Sequence, residues 1–134
     1  MRINHLAVIV AAVVYWIFGA IWYGVIFKSA WATLTGNPMG ATASNAMVVS
    51  IVMAFVLSYT VGIALAGATN PQPARHGVEY GLFMGIGTFA SQTLMDFLYE
   101  GRPIALWAID SGYVVIGLAL IGLIVGSWRK KVAA

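Results

Sequence analysis

The sequence predicts an all-α protein, a four-helix transmembrane bundle whose N and C termini both lie in the cytoplasm. Of its 134 residues, 61% are hydrophobic and 8% are charged. The mean hydropathy of +0.90 is too high for a soluble core of this size to hide the apolar surface. Four apolar runs account for nearly all of the chain, so we expect a single integral membrane domain over 1–134.

The first predicted transmembrane helix covers about 3–27. Arg2 precedes it and Ala30-Trp31-Ala32 resembles a cleavage site, so a secretory signal is the competing interpretation. The apolar stretch is far longer than a signal's core of about 7–15 residues, and aromatic residues crowd its far end. We therefore expect an anchored helix. The segment Ser29 to Thr35 is a candidate for a short helix lying at the membrane interface.

The other predicted transmembrane helices cover about 44–68, 77–99 and 104–127. Each run is long enough to cross a hydrocarbon core of about 30 Å, and backbone amides in lipid must be paired within the segment. Pro and Gly fall between the runs, where they end helices without cost: Gly36-Asn37-Pro38, Asn70-Pro71-Gln72-Pro73 and Gly101-Arg102-Pro103.

The positions of the seven basic residues predict the orientation. Arg2, Arg75 and the cluster at 129–131 fall on one side of the predicted membrane, and only Lys28 and Arg102 fall on the other. The positive-inside rule makes the first side the cytoplasm. We expect a multi-pass protein of the bacterial inner membrane, and the net charge of +3 then reflects topology rather than nucleic-acid binding.

Aromatic side chains mark the two predicted membrane interfaces. Amphipathic rings favour the headgroup level, and this interpretation is preferred over a cofactor site. The expected anchors are Trp22, Tyr23, Trp31, Trp107 and Trp128.

The third predicted helix carries small and polar residues at intervals of three or four, which places them on one face. This face cannot point at lipid, and its glycines allow another helix to approach closely. The face comprises Gly77, Gly81, Gly85, Thr88, Gln92, Asp96 and Tyr99, and Gly122 and Gly126 form a shorter glycine pair on the fourth helix. The spacing leaves open whether the partner is another helix of the same chain or a second copy, and we expect a homo-oligomer.

Asp96 and Asp110 are predicted to lie at similar depth near the outer ends of adjacent helices. A carboxylate at the centre of a transmembrane helix costs about 2.5–3.5 kcal/mol, and less near the interface, so two such residues need an explanation. One explanation is structural, with the carboxylates accepting hydrogen bonds that hold helices in register. The other is a protonatable site open to the outer surface. The candidate polar site comprises Asp96, Asp110, Gln92, Tyr99, Tyr113 and Arg102.

Catalytic chemistry has little support in the sequence. The chain has no cysteine and only two histidines, far apart, so we expect neither a metal centre nor a cofactor. No nucleophile lies beside a base, and we expect no enzymatic activity.

Several segments resemble a bacterial membrane family known as domain of unknown function seventeen-sixty-one. They are Asn4-His5-Leu6-Ala7-Val8-Ile9-Val10-Ala11-Ala12, Gly19-Ala20-Ile21-Trp22-Tyr23, Phe97-Leu98-Tyr99-Glu100-Gly101-Arg102-Pro103, Asp110-Ser111-Gly112-Tyr113 and Gly122-Leu123-Ile124-Val125-Gly126-Ser127-Trp128. The resemblance implies a small four-helix membrane protein and supplies no activity. Small multidrug transporters are of similar length but carry a glutamate in the first helix, and this chain has no acid there.

The sequence therefore favours a structural or accessory membrane protein, homo-oligomeric, with the lipid bilayer as its main partner. The alternative is a proton-coupled transporter of a small polar or cationic solute that uses Asp96 and Asp110.

Overall fold

A computed structural model describes residues 3–36, 43–66 and 73–128, and every regular element in these ranges is helical. The predicted all-α class is confirmed. Several features of the sequence lie outside the described residues, namely Arg2, Asn37-Pro38, the predicted end of the second helix at 67–68, Asn70-Pro71-Gln72 and the basic cluster at 129–131.

The first apolar segment forms helix α1, His5–Ile21, followed by a π-helical turn, Trp22–Ile26, which we call the first π turn. Asn4 caps α1, because its Oδ1 accepts a hydrogen bond of 3.2 Å from the amide of Ala7. A short helix, α2, follows over Lys28–Thr35, where the sequence predicts one. It ends at Gly36, whose φ of 73° suits glycine at a helix C-terminus.

The remaining segments are α3, Ala43–Ala66; α4, Pro73–Met84; a second π turn, Gly85–Ala90; α5, Ser91–Glu100; and α6, Ile104–Ser127. Helix α4, the second π turn and α5 form one uninterrupted helical run over 73–100. Gly101 ends this run with a φ of 69°, and Pro103 stands immediately before α6, where its missing amide is not needed.

Three helices among the described residues are long and apolar enough to cross a membrane: His5–Ile26, Val48–Ala66 and Ile104–Ser127. The run over 73–100 is not one of them, since glycine and polar residues such as Thr88, Gln92 and Asp96 lower its hydropathy. Large apolar side chains remain exposed on the outside, as Phe83 is with 77% of its surface accessible. An apolar exterior of this kind suits a lipid environment.

Helix α6 is the central helix and packs against α1, α3 and α4. The core between these helices consists mainly of small and β-branched side chains, which let the helices approach closely. Its buried members are Val8, Ala11, Ala12, Tyr15, Ala54, Val61, Leu65, Leu118, Ile121 and Val125.

The glycines of α4 lie against α6 of the same chain. A Cβ atom built on Gly77 would collide with the carbonyl oxygen of Gly122, and one built on Gly81 would collide with that of Leu118. A Cβ on Gly85 would lie 2.8 Å from the Cα of Val115. The two backbones are therefore in direct contact over about two turns of helix, and a Cβ atom at these three positions would prevent it.

The second π turn interrupts the face of small and polar residues that the sequence predicts along the run over 73–100, so that the residues before and after the turn point in different directions. A π turn spaces its hydrogen bonds by one more residue than an α-helix, and one residue corresponds to a rotation of about 100°. Beyond it, Gln92 and Asp96 are exposed, and Tyr99 has 92% of its surface accessible. The prediction of one continuous buried face is therefore wrong beyond Gly85. Ala90 and Phe97 are buried in place of the polar residues.

Candidate functional site

Asp110 is the acid that the structure joins to another helix. It lies half-buried in the second turn of α6, and its Oδ1 accepts a hydrogen bond of 2.8 Å from the phenol of Tyr23. Tyr23 belongs to the first π turn, 87 residues away in sequence. A carboxylate that meets a phenol in this way ties the end of the first helical segment to the start of α6.

The first π turn positions two neighbouring side chains toward α6. Its wider turn is closed by the amide of Phe27, which donates a hydrogen bond of 2.9 Å to the carbonyl of Trp22. Trp22 donates its indole hydrogen to the carbonyl of Ile109 at 3.0 Å, and Tyr23 reaches Asp110 beside it. Two successive residues thus contact two successive residues of α6. We define Trp22, Tyr23, Ile109 and Asp110 as the π-turn clamp.

Aromatic rings pack beneath the π-turn clamp. The ring of Tyr113 lies 5.1 Å from that of Tyr23, 5.0 Å from that of Tyr15 and 5.6 Å from that of Phe18, measured between ring centroids. Gly19 makes room for it, since a Cβ there would lie 2.7 Å from the Tyr113 hydroxyl. The residues at 15, 19 and 23 repeat at four-residue spacing, so the packed face of α1 is visible in the sequence.

Helix α2 packs against this cluster through Trp31. Trp31 lies half-buried with its ring edge-on to Tyr23, 6.4 Å between centroids. Trp22 is in addition packed against Phe27 at 4.7 Å. The aromatic residues that the sequence assigns to the interface thus also contact one another.

Asp96 has different surroundings from Asp110. It is exposed on α5, and its side-chain partner among the described residues is Gln92, whose amide nitrogen lies 3.4 Å from Oδ1 one turn earlier on the same helix. No hydrogen bond links the two acids. The second π turn accounts for the separation, because it rotates Asp96 away from the side of the helix that packs on α6.

Arg102 is engaged near the same end of the bundle. Its guanidinium carbon lies 4.1 Å from the centre of the Phe97 ring, and one of its nitrogens lies 3.7 Å from a carboxylate oxygen of Glu100. The residues predicted to form one polar site therefore do not share a single site: Asp110 has Tyr113 nearby and interacts electrostatically with Arg102, whereas Asp96 contacts Gln92. Tyr99 projects outward with 92% of its surface accessible.

The indole of Trp107 makes a second contact between a π turn and α6. It donates a hydrogen bond of 3.0 Å to the carbonyl of Ala90, the last residue of the second π turn. Trp107 was predicted only as an interfacial anchor. Its hydrogen bond gives it a further role in holding α6 against the turn.

The opposite end of the bundle is held by a separate set of contacts. The side-chain amide of Asn4 donates a hydrogen bond of 2.8 Å to the carbonyl of Trp128 at the end of α6. The ring of His5 shares a hydrogen bond of 3.0 Å with the hydroxyl of Tyr59 on α3. Both ends of α1 are thus fastened to neighbouring helices. No three histidine or acidic side chains converge as metal ligands in the described ranges.

These features define a class of protein. It is a small helical protein whose apolar helices are long enough to cross a membrane and are joined by hydrogen bonds at both ends of the bundle. The chain belongs to the family described as "Protein of unknown function (DUF1761)", whose model matches residues 6–126. The match includes the π-turn clamp, both π turns and the glycines of α4 that contact α6. No curated protein and no solved structure matches the chain.

Proposed function

We propose that this protein is a structural or accessory membrane protein that crosses the bacterial inner membrane four times, with both termini in the cytoplasm. Three crossings are supported by the three helices of sufficient length and apolarity. Support for a fourth comes from the run over 73–100, which measures about 42 Å at 1.5 Å per residue and packs through its glycines on α6. Arg75 and Arg102 lie near its opposite ends. The proposed orientation of the chain in the membrane follows from the positive-inside rule applied to the basic residues.

The hydrogen bond between Tyr23 and Asp110 carries the proposal of a structural role. It joins two apolar helices at a point where hydrophobic attraction between helices is absent. Transport through an acid pair would need Asp96 and Asp110 to share a site, and their different partners favour the structural role. We propose no enzymatic activity and no nucleic-acid partner.

We further propose that the protein acts as a homo-oligomer within the bilayer. The exposed apolar sides of several helices, including Phe83 on α4 and Val25 in the first π turn, can face either lipid or a second copy of the chain. Identical surfaces on two copies can then pair symmetrically. Chemical cross-linking in native membranes checks this, with a ladder of defined multiples expected and monomer alone contradicting it.

Single cysteines test the topology, because the natural chain contains none. An impermeant maleimide applied to intact spheroplasts is expected to label Glu100→Cys. Gln72→Cys and Ala134→Cys should react only after the membrane is opened. Labelling of Ala134→Cys in intact cells would contradict the cytoplasmic C-terminus.

A flux assay tests the structural role against transport. Proteoliposomes containing a pH-sensitive dye report proton movement under an imposed potassium gradient. We expect the wild type to match empty liposomes, and Asp110→Ala to lower the thermal stability of the purified protein. Proton flux by the wild type that Asp110→Asn abolishes and Glu100→Gln preserves, without a change in melting temperature, would establish the transporter instead.

A further inference from the structure

A groove on the side of the bundle is a feature that the structural role leaves unused. It has a volume of about 370 Å³, within the range of about 300–1,000 Å³ typical of small-molecule sites. Its floor is α6, represented by Val114 and Leu118, and its walls are α3 on one side and α4 with the second π turn and α5 on the other. It opens sideways, between helices of membrane-spanning length.

The threonine hydroxyl groups in the walls form hydrogen bonds within their own helices. Thr60 donates to the carbonyl of Val56 at 2.8 Å, and Thr93 donates to that of Phe89 at 2.7 Å. Thr88 likewise donates to the carbonyl of Met84. Each threonine satisfies its hydroxyl on its own helix and can present its methyl group to the space. Walls of this kind favour a hydrocarbon over a polar solute.

A carboxylate lies just beyond one end of the groove. Gln92 lines the groove, and its amide nitrogen lies 3.4 Å from the carboxylate of Asp96, about one turn closer to the end of α5. Asp96 is exposed, and among the described residues it pairs with no cation. The nearest basic side chain along the chain, Arg102, is already engaged with Phe97 and Glu100. A cationic group at the mouth of the groove would complement this carboxylate.

We propose that the groove holds an acyl chain of a phospholipid whose ammonium headgroup, of the phosphoethanolamine type, pairs with Asp96. The apolar walls accept the chain, and the lateral opening admits it directly from the bilayer. Asp96 lies about 6 Å from the end of α5 at 1.5 Å per residue, which suits the headgroup level. This proposal uses the membrane placement proposed above and extends it to a specific lipid.

Native mass spectrometry of protein released from nanodiscs tests the proposal with two lipids of identical acyl chains, phosphatidylethanolamine and phosphatidylglycerol. We expect phosphatidylethanolamine to be retained about two- to fivefold more, the factor expected for one exposed ion pair. Asp96→Asn should remove this preference. Glu100→Gln, which deletes an equal charge in the last turn of the same helix, should leave it intact.

A second pair of variants tests the groove itself. Thr60→Trp places an indole into the groove and should lower the retention of both lipids, whereas Ile116→Trp adds the same bulk at an exposed position of α6 outside the lining. A phosphatidylethanolamine with a photoreactive acyl chain should cross-link to peptides containing residues 57–61 or 88–93. Melting curves establish that each variant is folded.

Different results contradict the headgroup assignment, the acyl-chain assignment and the membrane placement. Equal retention of the two lipids by the wild type, or a preference that survives Asp96→Asn, overturns the headgroup assignment. Photo-cross-links confined to other helices, or cross-links through the groove to a second copy of the chain, overturn the acyl-chain assignment. If alkaline carbonate releases the protein from membranes, the membrane placement itself is wrong, and the lipid proposal is wrong with it.

Discussion

Gly77 of α4 and Gly122 of α6 lie backbone against backbone, so that a Cβ atom on either would collide with the carbonyl oxygen of the other. Between lipid-exposed helices this closeness matters more than in water, because dispersion contacts replace the hydrophobic effect as the attraction. The contact continues through Gly81 and Gly85, and it fixes the position of the whole run over 73–100 on α6.

Gly77→Ala is therefore expected to lower the free energy of unfolding by about 2–3 kcal/mol, as overpacking of a tight contact does. The control is Gly87→Ala, because a Cβ at Gly87 meets no atom within 4 Å. Because alanine has the higher helix propensity, that substitution should leave stability unchanged or raise it by up to about 1 kcal/mol. Loss of helical circular dichroism during titration with sodium dodecyl sulfate measures both, and equal effects would contradict the close contact.

The Tyr23–Asp110 hydrogen bond should appear as a coupling energy in a double-mutant cycle. Tyr23→Phe and Asp110→Ala, made singly and together, are expected to couple by about 0.6 kcal/mol, the typical value for hydrogen bonds between transmembrane helices, and by no more than about 1.7 kcal/mol. Tyr99→Phe combined with Asp110→Ala is the control and should be additive, since Tyr99 is exposed. Additivity in the Tyr23 cycle would mean that the two side chains do not interact in the folded protein.

The second π turn makes a prediction about which residues of α5 are accessible. Single cysteines at Gln92, Asp96 and Tyr99 should react readily with N-ethylmaleimide in detergent micelles. Cysteines at Ala90 and Phe97 should react at least about tenfold more slowly, which corresponds to about 1.4 kcal/mol of protection. A continuous α-helix would produce the reverse pattern, with Asp96 protected and Phe97 reactive.

The spacing of Gly77, Gly81 and Gly85 was enough to predict a close helix contact, but not its partner. Three glycines at intervals of four indicate that the backbone of another helix approaches closely, but they do not indicate which helix it is. The partner surface on α6 includes Leu118 and Val115 as well as Gly122, so it lacks a glycine pattern of matching length. Only the three-dimensional arrangement identifies α6 of the same chain.

The position of Asp96 could not be predicted, because one π turn decides it. Nothing in the residues 85–90 forbids a regular α-helix, and Gly85 and Gly87 only weaken its propensity. Counting residues at 3.6 per turn therefore placed Asp96 on the glycine face. The position of Asp110 was more predictable, since the spacing of Tyr15, Gly19 and Tyr23 marks the packed side of α1.

Two serines on α3 should respond to the same substitution with opposite signs. Ser58 is fully buried, and its hydroxyl has no hydrogen-bond partner in the part of the chain that the structure describes, so Ser58→Ala is expected to raise the free energy of unfolding by about 1 kcal/mol. Ser50 accepts a hydrogen bond of 3.1 Å from the indole of Trp16, so Ser50→Ala should lower it by about 0.5–1 kcal/mol. Melting temperatures of the two purified variants measured side by side check the difference. A loss of stability in Ser58→Ala would contradict the assignment of this hydroxyl as unsatisfied.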